Sequence, residues 1–180
     1  MFGFWRKARN RVVIERLHDD MVQAARQPAF YTSMGVADDF EGRFDLLVLH
    51  AALITHRLMA LPSKGSDMAQ DLTDLMFARF DVALREMGVG DLAVPKRIKK
   101  LAEAYLGRRK AYEEVFVGRD DEALAAVLAR NVLGRADVDQ CSRALARYTR
   151  QAQSMLDGAQ LLVFEQGPLV FPDASAFCEL

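Results

Sequence analysis

The sequence predicts an all-α fold, a single globular domain of about six helices around one apolar central helix. Apolar residues recur at three- and four-residue steps through residues 38–61 without interruption. Turn and cap residues separate this stretch from further segments of helical spacing. No internal repeat, low-complexity tract or long linker divides the 180 residues. We therefore expect an N-terminal arm at 1–11, a helical domain at 12–165 and an extended tail at 166–180.

The N-terminal arm combines aromatic and basic side chains. Its aromatic residues are Phe2, Phe4 and Trp5, and four basic residues follow them before residue 12. Aromatic residues beside cations suit a membrane interface or a groove on a partner. The alternative is a frayed terminus that folds onto the core. A first helix is expected over residues 12–27, where Pro28 ends it.

The central helix is predicted over residues 38–61. Asp38 can cap it, and Glu41 can complete a capping box with the N–H of the cap residue. The apolar residues cover most of the helix surface, which places it among neighbouring helices. A buried strand over residues 44–49 is the alternative, because a short apolar run alone does not decide. Helical spacing that continues to Leu61 favours the helix.

Four further helices are predicted after a turn at residues 62–66. Caps, Pro95 and terminal glycines delimit them, with Gln70 and Gln140 supporting two of the caps. They are expected to begin at Asp67, Pro95, Asp120 and Asp137 and to end near Gly88, Gly118, Gly134 and Leu156. Residues 161–164 are ambiguous between helix and extended chain. The proline-containing tail is expected to lie extended over the body.

Composition limits the classes of function. The net charge of −1 predicts no general attraction to nucleic acid, so DNA is not an expected partner. Two cysteines without metal-ligand spacing suggest reduced thiols. No apolar run approaches the ~20 residues that span a bilayer, and the N-terminus has the wrong order of residues for a secretory signal. We therefore expect a cytoplasmic protein, at most peripheral on the inner face of the membrane.

A basic stretch over residues 94–110 is the strongest local signal. It holds seven basic residues and one acid, so its net charge is +6 and the remainder carries −7. The candidates for binding an anionic surface are Lys96, Arg97, Lys99, Lys100, Arg108, Arg109 and Lys110. Cations in the first turn of a helix oppose its dipole, yet suit phosphate of RNA or of a lipid headgroup. The alternative is a solvated face balanced by acids such as Asp91 or Glu103.

Catalytic and metal-binding patterns are weak. Glu15 and His18 form one E-x-x-H spacing, whereas a di-iron bundle needs two copies and further carboxylates. His50 and His56 are six residues apart, which is unsuitable for a ligand pair on a helix. A buried, hydrogen-bonded His50 is the better interpretation. No nucleophile motif or phosphate-binding loop occurs, so neither an enzyme nor a cofactor is expected.

Four segments together resemble the ubiquinol–cytochrome c chaperone family. They read Pro28-Ala-Phe-Tyr31, Gly42-Arg-Phe-Asp-Leu-Leu-Val-Leu-His50, Arg85-Glu-Met-Gly-Val-Gly-Asp91 and Val94-Pro-Lys-Arg-Ile-Lys-Lys100. The similarity extends in order from about Ile14 to Val132. The positions that we treat as the family fingerprint are Gly42, Arg43, Phe44, Asp45, His50, Met87, Gly88, Gly90, Asp91 and Pro95.

The resemblance implies an all-helical, non-enzymatic assembly factor for the cytochrome bc1 complex, respiratory complex III. Mitochondrial relatives bind newly made cytochrome b and associate with the ribosome, usually with a second assembly factor. They carry a targeting extension that this sequence lacks, so it resembles the bacterial branch. An alternative is a general peripheral module for anionic lipid. The alternatives to a functional role are backbone requirements at Gly42 and Gly88 and a structural ion pair between Arg43 and Asp45.

Overall fold

Eight α-helices and a 3-10 helix are present in the computed structural model, which describes residues 2–62 and 64–178, with side chains from residue 10 onward. No strand occurs within those ranges. The helices are α1 (Phe2–Ala25), α2 (Pro28–Thr32), α3 (Phe40–Met59), α4 (Lys64–Glu86), α5 (Val94–Gly118), α6 (Asp121–Asn131), α7 (Gln140–Asp157) and α8 (Leu161–Gln166), followed by the 3-10 helix Ala174–Phe177. The predicted all-α fold is confirmed.

Helix α3 lies at the centre of the fold. It packs against α1, α4, α5 and α7. Its buried side chains point in several directions, and Leu46, Leu49, Leu53 and Ile54 are at most 1% exposed. An apolar surface on nearly all sides of one helix requires neighbours on nearly all sides. The prediction of a central helix is therefore confirmed, and the alternative strand is wrong.

The cap of α3 differs from the predicted one. Asp39, rather than Asp38, is the N-cap, and its carboxylate accepts a 2.8 Å hydrogen bond from the Gly42 N–H. Asp38 instead accepts a 2.8 Å hydrogen bond from Arg43. The helix consequently spans Phe40–Met59, slightly less than residues 38–61. Two adjacent aspartates offer equivalent caps in sequence, and the pairing with Arg43 distinguishes them.

Several of the later helix ends agree with the sequence prediction, and the starts of α4 and α7 do not. Gly88 ends α4 with φ of +80°, Pro95 lies in the first turn of α5, and Asp120 caps α6. Helix α4, however, begins at Lys64, so Asp67 lies within its first turn. Helix α7 is capped by Asp139, which forms a reciprocal capping box with Ser142, rather than by Asp137 with Gln140.

The two ends of the chain extend the helical body. Helix α1 begins at Phe2, well before the predicted start at about residue 12, and arginine and alanine in this stretch favour helix. Pro28 both follows α1 and opens α2, where proline is well tolerated. The ambiguous residues 161–164 are helical, within α8. After α8 the chain passes back over the body, burying Leu169 and Ala174.

Candidate functional site

The connection between α4 and α5 exposes apolar side chains. Leu92 is 99% exposed and Met87 is 61% exposed. Arg85 stiffens this connection by pairing with Asp81 at 2.6 Å and with Asp91. Both ion pairs precede Leu92 in the chain, and the loop leaves this apolar side chain in contact with water. Such an arrangement indicates a contact surface for a partner or a membrane.

Four cations follow this loop in the first two turns of α5, and we call them the cationic patch: Lys96, Arg97, Lys99 and Lys100. All four are exposed. Lys99 lies 3.9 Å from Glu103, and the other three have no carboxylate within 4.0 Å among the described side chains. The carboxylate of Asp91 pairs with Arg85 instead. Acids therefore balance the patch only weakly, and its field extends into solvent.

Arg108 belongs to the interior and not to the patch. Its Nη2 lies 2.8 Å from Oδ1 of Asp45, and its guanidinium group lies 5.4 Å from the ring centre of Phe44. Its Nε donates to the Asn131 carbonyl at 3.4 Å. The neighbouring Arg109 is half-buried, and only Lys110 of this second group is exposed. The seven predicted cations therefore do not form one surface.

The Asp45 carboxyl group is buried in an unusual state. Burial raises its pKa to about 7, although the charge of Arg108 lowers it. Oδ1 has no hydrogen bond of good geometry among the described residues, despite the nearby guanidinium group. The alternative of an ion pair between Arg43 and Asp45 is wrong, because Arg43 pairs with Asp38 and Asp45 with Arg108. These two pairs attach α3 to the preceding loop and to α5.

His50 is enclosed completely. Its Nδ1 lies 2.8 Å from the carbonyl of Leu46, and its Nε2 lies 2.7 Å from the hydroxyl of Tyr148. A carbonyl only accepts, so Nδ1 carries the proton and Nε2 accepts from Tyr148. Burial lowers the pKa of His50 to about 4, which keeps the ring neutral. The prediction of a buried, hydrogen-bonded His50 is confirmed.

The remaining candidates for a metal or catalytic site, Glu15, His18 and His56, do not lie together. Glu15 pairs with Arg11 at 2.9 Å, while Nδ1 of His18 lies 3.6 Å from Asp19. His56 lies near Glu113, 3.4 Å away. No group of three or more His, Cys, Asp or Glu side chains suited to a metal occurs among the described residues. The side chains of Phe2, Phe4 and Trp5 lie outside the described part of the structure.

The fingerprint glycines have different structural roles. A Cβ atom at Gly42 would lie 2.1 Å from the carbonyl oxygen of Ala37, so only glycine fits beside that loop. Gly88 needs its positive φ, whereas a Cβ atom at Gly90 would meet nothing within 4 Å. Packing therefore explains why residue 42 is glycine, and the backbone conformation explains why residue 88 is. Neither explains the glycine at position 90.

Sequence reasoning missed two residues. Tyr148 lies 98 residues from its partner His50, so local spacing could not indicate it. Leu92 carried a usable signal, because a large apolar residue in a glycine-containing polar loop is a candidate contact residue. Among the described residues, none of the helices is both long enough and apolar enough to cross a bilayer.

These features define a class: an all-α protein whose buried polar groups fix helix packing and whose exposed surface suits binding. Comparisons with known proteins specify it further. The model of the family described as ubiquinol–cytochrome C chaperone matches residues 32–171. A crystal structure of the Cbp3 homolog from Brucella abortus superimposes with a TM-score of 0.84, at 34% identity over 96% of each chain. No curated protein matches. The chain belongs to the ubiquinol–cytochrome c chaperone family.

Proposed function

We propose that this protein is a non-enzymatic assembly factor for the cytochrome bc1 complex that binds newly made cytochrome b. The family match over residues 32–171 carries this proposal, since the family is described by its chaperone role. The geometry agrees with binding work, because Asp45 and His50 are engaged in packing contacts. The ribosome and a second assembly factor are further proposed partners, and the inner face of the cytoplasmic membrane is the proposed location.

Loss of the gene tests the assembly role. Membranes from a deletion strain should show a selective loss of bc1-type b haem in a reduced-minus-oxidised spectrum. The haems of other oxidases in the same membranes are the internal control. Equal loss of unrelated complexes, or an unchanged spectrum with normal bc1 activity, contradicts the proposal. Crosslinking from the wild-type chain to nascent cytochrome b then tests the client directly.

The cationic patch and Leu92 favour a second role at an anionic membrane surface. Each Lys or Arg near such a surface contributes about 1 kcal/mol, so four contribute about 4 kcal/mol. Changing Lys96, Arg97, Lys99 and Lys100 to Gln should weaken binding to anionic vesicles by roughly three orders of magnitude at low salt. The Leu92→Ser change removes an apolar contact and should weaken binding without altering its salt dependence.

A charge-matched variant provides the control for the vesicle experiment. It changes four exposed arginines on other helices and loops to Gln: Arg26, Arg79, Arg119 and Arg130. Sedimentation with vesicles that contain phosphatidylglycerol should separate the two variants, with binding lost only from the patch variant. An equal loss of vesicle binding by both variants would show that binding depends on net charge and not on the patch. Binding of the patch variant at the wild-type level would reject the membrane surface and leave ribosomal RNA to be tested.

A further inference from the structure

The segment after α8 lies over the body as an irregular strap, which we define as residues 167–177. Its first part, through Asp173, has no helical structure and includes Pro168 and Pro172. Proline fixes φ near −65° and favours an extended chain. Leu169 and Ala174 are buried, whereas Val170 between them is 63% exposed. Leu169 and Phe171 face the body while Pro168 and Val170 face solvent, so this part of the strap alternates as a bound extended peptide does.

Side chains of the body hold the strap by its backbone. The Leu169 N–H donates to Oδ2 of Asp20 at 2.9 Å. The side-chain amide of Gln27 donates to the Pro172 carbonyl at 3.0 Å and accepts from the Ala174 N–H at 2.7 Å. Backbone groups are the same in every polypeptide, so such contacts bind a chain with little regard to its sequence.

Aromatic rings of the body supply the apolar part of the contact. The ring of Phe171 lies 5.2 Å from His50, and the ring of Phe177 lies 5.8 Å from Tyr148, between centroids. Phe30 completes the wall at 4.9 Å from Tyr148 and 5.9 Å from His50. Helices α2, α3 and α7 thus form an aromatic pocket, and two phenylalanines of the strap close it.

We propose that the groove between α1, α2, α3 and α7 is a binding site for an extended apolar segment of another polypeptide, and that the strap occupies it displaceably. The segment that fits carries bulky apolar side chains about six residues apart with a 3-10 turn before the second, as Phe171 and Phe177 are in the strap. Assigning this segment to the client cytochrome rests on the proposed function. The displacement of the strap does not.

Competition from the strap determines how the groove is loaded. A tethered segment has an effective concentration in the millimolar range, so a free peptide competes poorly with it. Weakening the strap from its own side raises the fraction of open groove and therefore the apparent affinity for a free peptide. The Phe171→Ala change removes a ring that faces His50 and leaves every groove residue intact.

The test uses a fluorescein-labelled peptide with the sequence of residues 167–177 and the full-length chain. Phe171→Ala should bind it with roughly tenfold higher apparent affinity than the wild type, because losing a partly buried aromatic ring that contacts His50 weakens the strap. Val170→Ala is the matched control on the exposed side of the strap and should bind as the wild type does. Equal anisotropy curves for Phe171→Ala and Val170→Ala would overturn the proposal.

A second pair of variants locates the peptide. In the Phe171→Ala background, where the weakened strap no longer competes effectively, Gln27→Ala removes both backbone contacts to the peptide and should lower its affinity. Gln23→Ala is the control, since this exposed glutamine lies in the last turn of α1, four residues before Gln27, and has no hydrogen bond to the strap. A peptide with serine at both phenylalanine positions should fail to bind. Retained binding of that peptide, or equal effects of the two glutamine variants, would overturn the assignment of the groove.

Hydrogen exchange on the unaltered chain keeps the proposal testable if Phe171→Ala does not fold. The Leu169 and Ala174 amides should exchange by local opening, at least roughly a hundredfold faster than amides in the middle of α3. Exchange at the same rate as α3 would show that the strap opens only on global unfolding and would overturn the proposal. Neither result bears on the haem spectrum of a deletion strain, so the two proposals fail separately.

Discussion

The Asp45 carboxyl group should make the stability of this protein depend on pH, and Asp45→Asn should remove that dependence. Burial raises the pKa of Asp45 to about 7, against an ordinary value of 3.8. Between these two values the folded state binds more protons than the unfolded state. The free energy of unfolding contributed by this group therefore decreases as pH rises from about 4 to 7.

The size of the effect follows from the shift in pKa. One pKa unit corresponds to about 1.36 kcal/mol, so a shift from 3.8 to about 7 gives an upper limit of about 4 kcal/mol. The Asp45 side chain keeps 12% exposure, and a window beginning at about pH 4.5 omits part of the titration. Between pH 4.5 and 7.5, the free energy of unfolding of Asp45→Asn should therefore rise by about 2–3 kcal/mol relative to that of the wild type.

His50 acts in the opposite direction and must be subtracted. Burial lowers its pKa to about 4, from an ordinary value of 6.5, so its contribution to stability increases with pH between those values. His50 is present in both proteins, and its effect cancels in the difference between their unfolding free energies. The difference curve, rather than either single curve, therefore reports Asp45.

Urea denaturation of the wild type and Asp45→Asn across this range of pH measures the difference curve. Asp38→Asn is the control, because Asp38 is an exposed partner of Arg43 and should change stability by less than ~1 kcal/mol at every pH. A flat difference curve would refute the reasoning. A loss of relative stability by Asp45→Asn as pH rises would show that Arg108 keeps the carboxylate ionised despite its burial.

Two further substitutions test contacts on α3. Tyr148→Phe should cost about 1–3 kcal/mol by urea denaturation, because Nε2 of His50 loses its donor in a dry site; a cost below about 0.5 kcal/mol would contradict that hydrogen bond. Gly42→Ala should cost at least about 1–3 kcal/mol, since the new Cβ atom meets the Ala37 carbonyl. Gly107→Ala is the control, because a Cβ atom there meets nothing within 4 Å, and it should stabilise the chain by about 0.5–1 kcal/mol. Equal effects of Gly42→Ala and Gly107→Ala on stability would contradict the packing at Gly42.

Local signals in the sequence were sufficient for the fold class and for many helix ends. Gly88 stops α4 in the left-handed region, and Asp120 caps α6, because these roles depend on neighbours within four residues. Contacts that join distant parts of the chain had no such signal. The partner of Asp45 is Arg108, not the adjacent Arg43, and charge spacing along the chain favours the near pair.

The separation of Arg108 from the cationic patch could have been read from helical spacing. Arg108 follows Tyr105 by three residues and precedes Tyr112 by four, and both tyrosines are at most 2% exposed. Residues at these steps share one face of a helix, so the guanidinium group had to point toward the core. A count of basic residues over 94–110 hides this geometry, because it does not separate a partly buried cation such as Arg108 from the exposed cations of the patch.

The two proposed contact surfaces belong to different faces of the fold and can be tested independently. The cationic patch lies at the start of α5, whose buried face reaches α3 through Arg108 and Asp45. The groove under the strap reaches α3 through His50 and Tyr148 instead. Neutralising the patch should therefore leave peptide binding unchanged, and Phe171→Ala should leave vesicle binding unchanged. A client that needs both surfaces would be lost from the patch variant and bound more tightly by Phe171→Ala, as expected of a chaperone that engages an apolar chain at a membrane surface.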